Sequence, residues 1–392
     1  MRERVGTGDE RTLPNRPAVA IRAFNRLAAR ADELQCGAHN GSNKPCPVWL
    51  LACLVLLPPH TPPPVSSLPR SLATLVLFST AAFADVEVKE QAGLVRVEID
   101  GKLFTEYHFT GARRPYLYPI IGPTGAGMTR NWPLKEGVPG EDTDHPHHKG
   151  LWFGHRSVNG AGFWEDSAKP GTPLGQILHD RFVEVKGGKD MGVIRAKNKW
   201  VLDEGGGVVC TDERTIRIQQ VKEGRLLDFD ITITAGEKEV VFGDDKDGVM
   251  AIRVPETMRV QRAKPKGEKT APVGEGHIVT SEGKRDADAW GTRADWCDYF
   301  GPVEGKTAGV AMFDHPGNPR HPTWWHVRTY GLFAANAFGQ AQFEKLPDKE
   351  AGAFKIAAGQ SATFRYRFYF HPGDTETAKV AEAYRDYAAK VK

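Results

Sequence analysis

The chain has 392 residues, a formal net charge of +3 and 26% charged residues. Most of the positive surplus comes from arginines before residue 31. The rest of the chain has no basic surplus of the kind that nucleic-acid-binding proteins show, so we expect no nucleic-acid partner. The hydrophobic content of 40% and the 42 glycines are typical of a globular chain with many tight turns, and the length allows one large all-β domain.

The N-terminal part differs from the rest of the chain. Residues 1–46 are Arg-rich and aperiodic, and we expect residues 1–64 to be disordered or not translated, with Val65 as an alternative start. Residues 65–84 have the charged, apolar and Ala-x-Ala order of a secretory signal peptide, so the mature domain is predicted to span 85–392. The alternative is a buried helix that ends in alanines. The prediction is a periplasmic or secreted protein without an integral membrane span, because the mature chain has no apolar run of about 20 residues.

Two cysteines, Cys210 and Cys297, lie in the predicted mature chain. An oxidising compartment favours pairing, but the sequence alone does not bring them within bonding distance. For Cys210, a buried thiol inside a strand is the favoured interpretation.

A period of two dominates the mature chain. Val95–Ile99 alternates apolar and polar residues, and Asp100-Gly101 predicts a two-residue hairpin turn into Lys102–Tyr107. Many strands separated by turn signals predict a large antiparallel β-sandwich. Similar alternation occurs in Thr215–Ile218, in Leu227–Ile233 after a Glu223-Gly224 turn, in Val249–Val254 and in Phe364–Phe370.

One C-terminal helix completes the predicted all-β fold. Asp374 or Thr375 is a suitable N-terminal cap. The predicted apolar stripe consists of Val380, Ala381, Tyr384 and Ala388.

Four histidines lie within residues 144–155, namely His145, His147, His148 and His155. Imidazole serves as an acid or base near neutral pH and as a metal ligand, so the cluster allows both interpretations. We favour acid–base chemistry without a bound metal, because His145 and His147 provide two ligands and a third must come from elsewhere, such as His326.

The dipeptide Asn159-Gly160 predicts a two-residue turn that pairs Val158 with Ala161 and, by register, His155 with Trp164. This register places Leu151, Phe153, His155, Trp164 and Asp166 on one face of the sheet, and Trp152, Arg156, Phe163 and Glu165 on the other. We expect His155, Trp164 and Asp166 to form the chemical face. The alternative is a buried histidine beside core aromatics, and Trp152 either offers an open flat ring or packs under a strand.

A second cluster spans residues 315–328 and includes Trp325, His326 and Arg328. Aromatic rings beside charged groups suit a sugar site, because rings stack on the apolar face of a pyranose and charged groups bind hydroxyls. The alternative is a proline-rich loop whose tryptophans close the end of the sandwich.

These segments resemble the PmoA-like family, which is labelled methane oxygenase. The resemblance spans nearly the whole mature chain and implies a β-supersandwich like that of galactose mutarotase, a fold shared by sugar-processing enzymes. The label implies a membrane subunit. Such a subunit needs several apolar spans of about 20 residues, and the predicted mature chain has none. The matching stretches are Arg114–Pro123, Thr129–Pro133, Asp144–His155, Val158–Gly160, Phe163-Trp164, His326–Arg328, Tyr330–Asn336 and Tyr369–Asp374.

The predicted function is an exported protein that processes a carbohydrate or sugar acid, with a small-molecule or oligosaccharide substrate and no cofactor. The alternatives are a noncatalytic carbohydrate-binding module and, following the family label, a metal-dependent oxygenase. The candidate catalytic residues are His147, His155, Asp166 (or Glu165) and His326. The candidate substrate-binding residues are Arg114, Trp152, Trp164, Trp325 and Arg328. Of these, Arg328 is expected to bind an anionic group.

Overall fold

Alternating apolar residues build two large antiparallel sheets in this chain. A computed structural model describes residues 85–389 except 169, 263, 265, 266 and 268. The strands are β1 (Asp85–Gln91), β2 (Leu94–Ile99), β3 (Lys102–His108), β4 (Tyr116–Ile120), β5 (Leu151–His155), β6 (Gly175–Lys186), β7 (Gly188–Lys189), β8 (Met191–Leu202), β9 (Val208–Val221), β10 (Gly224–Ala235), β11 (Val240–Phe242), β12 (Gly248–Arg253), β13 (His277–Thr280), β14 (Trp296–Val303), β15 (Lys306–Asp314), β16 (Trp324–Val327), β17 (Leu332–Asn336), β18 (Phe354–Ile356) and β19 (Ser361–Pro372). The helices are α1 (Gln340–Glu344) and α2 (Val380–Ala388), with 3-10 turns at Asp203–Gly205, Glu256–Met258 and Asp286–Ala289.

The strand order follows local hairpins interrupted by long connections. Nine strands form the first sheet in the order β16-β17-β12-β5-β4-β3-β2-β1-β7, and eight form the second in the order β13-β14-β15-β19-β10-β9-β8-β6. β11 and β18 form a separate two-stranded sheet. β5 therefore lies between β4 and β12, although about 90 residues separate it from β12 along the chain.

The two large sheets pack face to face through one apolar core. The Phe153 ring from the first sheet stacks on Phe229 from the second with centroids 6.4 Å apart, and Phe104 meets Phe370 edge-on at 6.0 Å. All four side chains are at most 1% exposed. The prediction of a large antiparallel β-sandwich is confirmed.

The first predicted hairpin forms as expected, while the C-terminal helix differs in detail. Asp100 and Gly101 adopt φ angles of 51° and 70°, which a type I′ turn requires. The helix α2 starts at Val380 rather than at Asp374, whose carboxylate instead accepts the Thr377 N–H at 2.8 Å in the preceding turn. Ala381 is exposed. The buried stripe uses Val380, Tyr384 and Tyr387.

The turn between β9 and β10 consists of Lys222 and Glu223, because Val221 pairs with Gly224. The turn therefore lies one residue earlier than predicted.

Cys210 and Cys297 are both buried and free. Within the described part of the chain, no helix is long and apolar enough to cross a membrane. The predictions for residues 1–84 lie outside the described residues.

Candidate functional site

The outer face of the first sheet carries a row of residues from five adjacent strands. The register places Tyr116 opposite Trp152, Trp152 opposite Ala251, Ala251 opposite Ala334 and Ala334 opposite His326. Because directly paired residues point to the same side of a sheet, this row forms one surface, which we call the site floor. The two alanines are fully buried, so larger side chains cover the middle of the floor.

The loop before β5 brings three histidines over the site floor. His145 has a left-handed backbone with φ of 44°, and its carbonyl accepts the His148 N–H at 3.0 Å, so the chain turns sharply. Gly150 then passes very close to β4, since a Cβ there would lie 2.1 Å from the Leu117 carbonyl oxygen. The close approach requires glycine and fixes the position of the loop.

The rings above the floor form a stack. His148 lies over Trp152 with centroids 5.3 Å apart, His145 lies parallel to His148 at 4.7 Å, and Tyr330 lies parallel to His145 at 5.4 Å. His147 meets His148 edge-on at 4.5 Å and His145 at 5.7 Å. All three histidines of the loop therefore converge at one place.

A fixed carboxylate orients His145. Asp144 forms ion pairs with Arg130 and, at 2.9 Å, with Arg253, and both guanidinium side chains are fully buried. Burial favours a raised pKa for Asp144, but the hydrogen bond from His145 and the two arginine charges outweigh it and hold the pKa well below its ordinary value. The ionised carboxylate lies 2.7 Å from Nδ1 of His145, so Nδ1 carries a proton and donates it to this hydrogen bond, which leaves Nε2 for a ligand. The His145 side chain is 41% exposed, which leaves it accessible to a ligand.

The other two loop histidines are held neutral. Burial, followed by the charge of Arg114, lowers the pKa of His147 to about 3. Burial and the charge of Arg253 lower the pKa of His148 well below its ordinary value, and Arg253 donates to its Nδ1 at 3.4 Å. The His147 ring has no hydrogen-bond partner within the described residues, so its nitrogens are available to a ligand.

Asp166 forms a charged corner beside His147. Arg114 donates to the Asp166 carboxylate at 3.2 Å and to the His147 carbonyl at 2.7 Å, and Lys149 forms an ion pair with the same carboxylate. Burial favours a raised pKa for Asp166, but the Arg114 charge and Lys149 outweigh it and lower the pKa. Arg114 is only 5% exposed, so its role is to connect the histidine loop with Asp166.

His326 lies at the opposite end of the floor. Its Nδ1 is 3.9 Å from the Asp247 carboxylate and makes no hydrogen bond within the described residues. Burial lowers the pKa of His326 to about 4 although the Asp247 charge opposes this shift. Asn336 donates to two backbone carbonyls of the loop that carries Asp247, at 2.9 and 2.8 Å, and thereby positions it.

Arg328 provides a cation at the edge of the ring stack. Its guanidinium lies 5.6 Å from the Trp290 ring and 5.5 Å from the Tyr330 ring. No carboxylate or hydrogen-bond acceptor pairs with this guanidinium in the described part of the chain. A cation held by two aromatic rings and left without a counter-charge is suited to bind an anionic group.

The prediction that His155, Trp164 and Asp166 share one face of the sheet is wrong for His155. Val158 pairs with Ala161 as expected, but the hairpin does not continue, so His155 and Trp164 are not cross-strand partners. His155 faces the core, fully buried, with its Nε2 2.8 Å from the Gly243 carbonyl. Trp164 instead packs on the outer side, and Asp166 lies there too.

The predicted tryptophan surfaces are also not open to a ligand. Trp152 and Trp164 are each 1% exposed and pack on each other with centroids 5.1 Å apart. Trp325 faces the core, where its Nε1 donates to the Ala294 carbonyl at 3.0 Å. The rings accessible at the site belong to other residues, Tyr330 and Trp290, which are half-buried.

Sequence reasoning missed the roles of Asp144 and Tyr330, and it considered His145 only as a metal ligand. The adjacent Asp144-His145 pair was a weak signal for an oriented imidazole.

Glu165, the alternative carboxylate, lies 3.2 Å from Arg156. Among the described residues, no three His, Cys, Asp or Glu side chains are arranged to hold a metal ion.

The sequence matches one family model over residues 94–385, which include all the motifs at the site. The chain belongs to DUF6807, a family of unknown function. The resemblance to the PmoA-like family is therefore wrong, because the family model that the sequence matches is DUF6807 and not a methane oxygenase. No curated protein matches the sequence.

Solved structures similar to this DUF6807 chain have low identity. An α-galactosidase from Lactobacillus brevis aligns with a TM-score of 0.34 and 8% identity over 73% of this chain, which spans only 39% of that enzyme. A galactose mutarotase-like protein from Clostridium acetobutylicum gives 0.33 and 11%, over 74% of this chain and 99% of that one. A galactose mutarotase related enzyme from Lactobacillus acidophilus gives 0.28 and 8%, over 73% and 97%. Similarities at this level do not identify an activity.

Proposed function

We propose that this DUF6807 protein is an exported enzyme that acts on a carbohydrate or sugar acid by histidine acid–base chemistry. The observation that carries the proposal is the convergence of two different imidazoles. His145 is oriented by Asp144, and the His147 ring lies 5.7 Å away without a hydrogen bond to the described residues.

The two rings are suited to different roles toward a substrate. His147 has a pKa of about 3, so it is neutral over the physiological range and its free nitrogen accepts a hydrogen bond from a substrate hydroxyl. The ionised Asp144 stabilises the imidazolium that forms when His145 takes a proton. Reactions at a sugar carbon or hydroxyl need such a proton acceptor and donor.

The surrounding charges favour a substrate with hydroxyl and anionic groups. Arg328 is the unpaired cation, held between Trp290 and Tyr330. Asp166 and Asp247 supply ionised carboxylates that accept hydrogen bonds from hydroxyls. A sugar acid combines both kinds of group in one molecule. The noncatalytic alternative has less support, because Trp152 and Trp164, the expected stacking rings, are buried.

Export is part of the proposal because of the signal-like order of residues 65–84. An enzyme of the periplasm or of the medium meets glycans outside the cell.

The test is turnover of a defined sugar panel by the wild type and by His145→Gln and His147→Gln. The panel contains glucose, galactose, glucuronate, galacturonate and the linear tetramer of each, and proton NMR detects hydrolysis, elimination and epimerisation alike. We expect one compound to react and each variant to lose about 10²–10⁴-fold in rate. His277→Gln is the control, because that side chain is 54% exposed in β13 of the other sheet. Absence of turnover, or variants as fast as the wild type, would contradict the proposal.

A further inference from the structure

A cleft of about 690 Å³ opens next to the histidine loop, on the Asp166 side. Segment 109–113 forms one wall, the first residues of β6 form the other, and Lys149 and Asp166 lie at one end. The volume is in the range of about 300–1,000 Å³ that is usual for ligand pockets.

The cleft is continuous with the candidate site. The Lys149–Asp166 ion pair lines the cleft, and Arg114 connects the same carboxylate to the His147 carbonyl. A molecule bound at the histidine loop that extends past Asp166 therefore enters the cleft directly.

The lining combines apolar surface with unpaired polar atoms. Leu178 is 43% exposed, and the half-buried Phe109 ring packs against His179 with centroids 4.7 Å apart. The His179 ring has no hydrogen-bond partner within the described residues, and because its Nδ1 is buried, Nε2 is the nitrogen that a ligand can reach. A sugar unit presents an apolar ring face and hydroxyls, and both find complementary groups here.

The charged groups of the cleft neutralise one another. Arg113 forms an ion pair with Asp203, whose other oxygen accepts a hydrogen bond from Gln176 at 2.9 Å. Lys149 is paired with Asp166. The cleft thus offers no free charge for an ionic ligand, in contrast to Arg328 at the histidine site.

We infer that the cleft binds further sugar units of an extended glycan whose reacting unit lies at the histidine loop. The inference rests on the proposed function and narrows its substrate class to oligosaccharides and polysaccharides. Hydroxyl-rich units fit the cleft, with Leu178 and Phe109 against their ring faces and His179 at a hydroxyl.

Binding affinity as a function of chain length tests the inference. The probes are the four monosaccharides of the panel and their linear tetramers, measured by isothermal titration calorimetry with the full mature protein. We expect at least one tetramer to bind about tenfold tighter than its own monomer, which is about 1.4 kcal/mol. Leu178→Arg fills the cleft and should abolish this gain while the monomer affinity is retained.

A matched control is available on the same strand. Val183 is 45% exposed in β6 but does not line the cleft, so Val183→Arg should keep the tenfold gain. His179→Ala removes the polar contact without adding bulk and should reduce the tetramer affinity alone. Far-UV circular dichroism establishes that each variant is folded.

Two failures are distinguishable. Equal affinities for monomer and tetramer, or a gain that survives Leu178→Arg, overturn the cleft inference, while the histidine variants still test the proposed function. Failure of every panel sugar to bind the wild type overturns the proposed function, and the inference falls with it.

Discussion

Replacing Asp144 with asparagine tests whether its carboxylate organises the histidine loop. Two fully buried guanidinium groups, those of Arg130 and Arg253, depend on this carboxylate, and His145 donates to it at 2.7 Å. Breaking a buried ion pair by removing one partner costs about 3–5 kcal/mol. The Asp144 side chain is 26% exposed and asparagine keeps one acceptor oxygen, so we expect the free energy of unfolding to fall by about 3 kcal/mol, the lower end of that range.

The dependence on pH gives the same prediction a second readout. The folded-state pKa of Asp144 lies below its unfolded value, so its contribution to stability is present at neutral pH and is lost as the pH falls below about 5 toward the folded pKa. Asp144→Asn mimics the protonated carboxyl. The difference between wild type and variant should therefore shrink on acidification.

Urea denaturation followed by tryptophan fluorescence at pH 7, 5 and 3 measures both effects. Asp142→Asn is the matched control, because the Asp142 carboxylate is 30% exposed and lies 3.5 Å from Arg259, which has Glu256 as its closer partner. We expect that control to stay within about 0.5 kcal/mol of the wild type. An Asp144→Asn variant as stable as the control, or a difference that does not change with pH, would refute the reasoning.

Three further predictions concern the core, export and metal content. The buried Asp212 carboxylate pairs with Arg214 and also accepts hydrogen bonds from Asn198 and Trp200, so Asp212→Leu should cost about 3–5 kcal/mol in urea unfolding. Asp212→Leu with Arg214→Met should recover part of this loss, because the guanidinium is no longer left unpaired; equal losses would contradict this. The secreted form should begin at Asp85 by intact mass, and a secreted species that retains earlier residues would disprove the cleavage site. Elemental analysis should find no near-stoichiometric iron, copper or zinc, and a metal that disappears in His147→Ala or His155→Ala would overturn the metal-free prediction.

Strand positions were predictable because the period of two is a local property. The hairpin at Asp100-Gly101 needs only a turn dipeptide and alternation on both sides, and it forms with Ile99 opposite Lys102, although a bulge shifts the register between Val97 and Glu98. The start of α2 was less predictable. Asp374 is a good cap by residue type, but it caps a separate turn, and the helix begins only where Val380 reaches the core.

The face of the sheet to which a side chain points was not predictable where it depends on pairing between strands that are distant in sequence. The Asn159-Gly160 turn holds a single pair, Val158 with Ala161, and the chain then leaves the hairpin. β5 gains its real partner from β12, with His155 opposite Gly248, and this contact lies far away in sequence. His155 was therefore assigned to the wrong environment although its strand was expected.

The clustering of the histidines was predictable, but the environment of each one was not. Four histidines lie close together in residues 144–155, and three of them meet in the loop before β5. Whether a given imidazole is oriented, buried or free depends on Arg130 and Arg253, which come from two other segments and fix the Asp144 carboxylate from the interior. Of the loop histidines, the one beside this carboxylate, His145, combines an oriented Nδ1 with an exposed ring. The geometry of the histidine loop therefore depends on the buried arginines beneath it as much as on the histidines that the sequence displays.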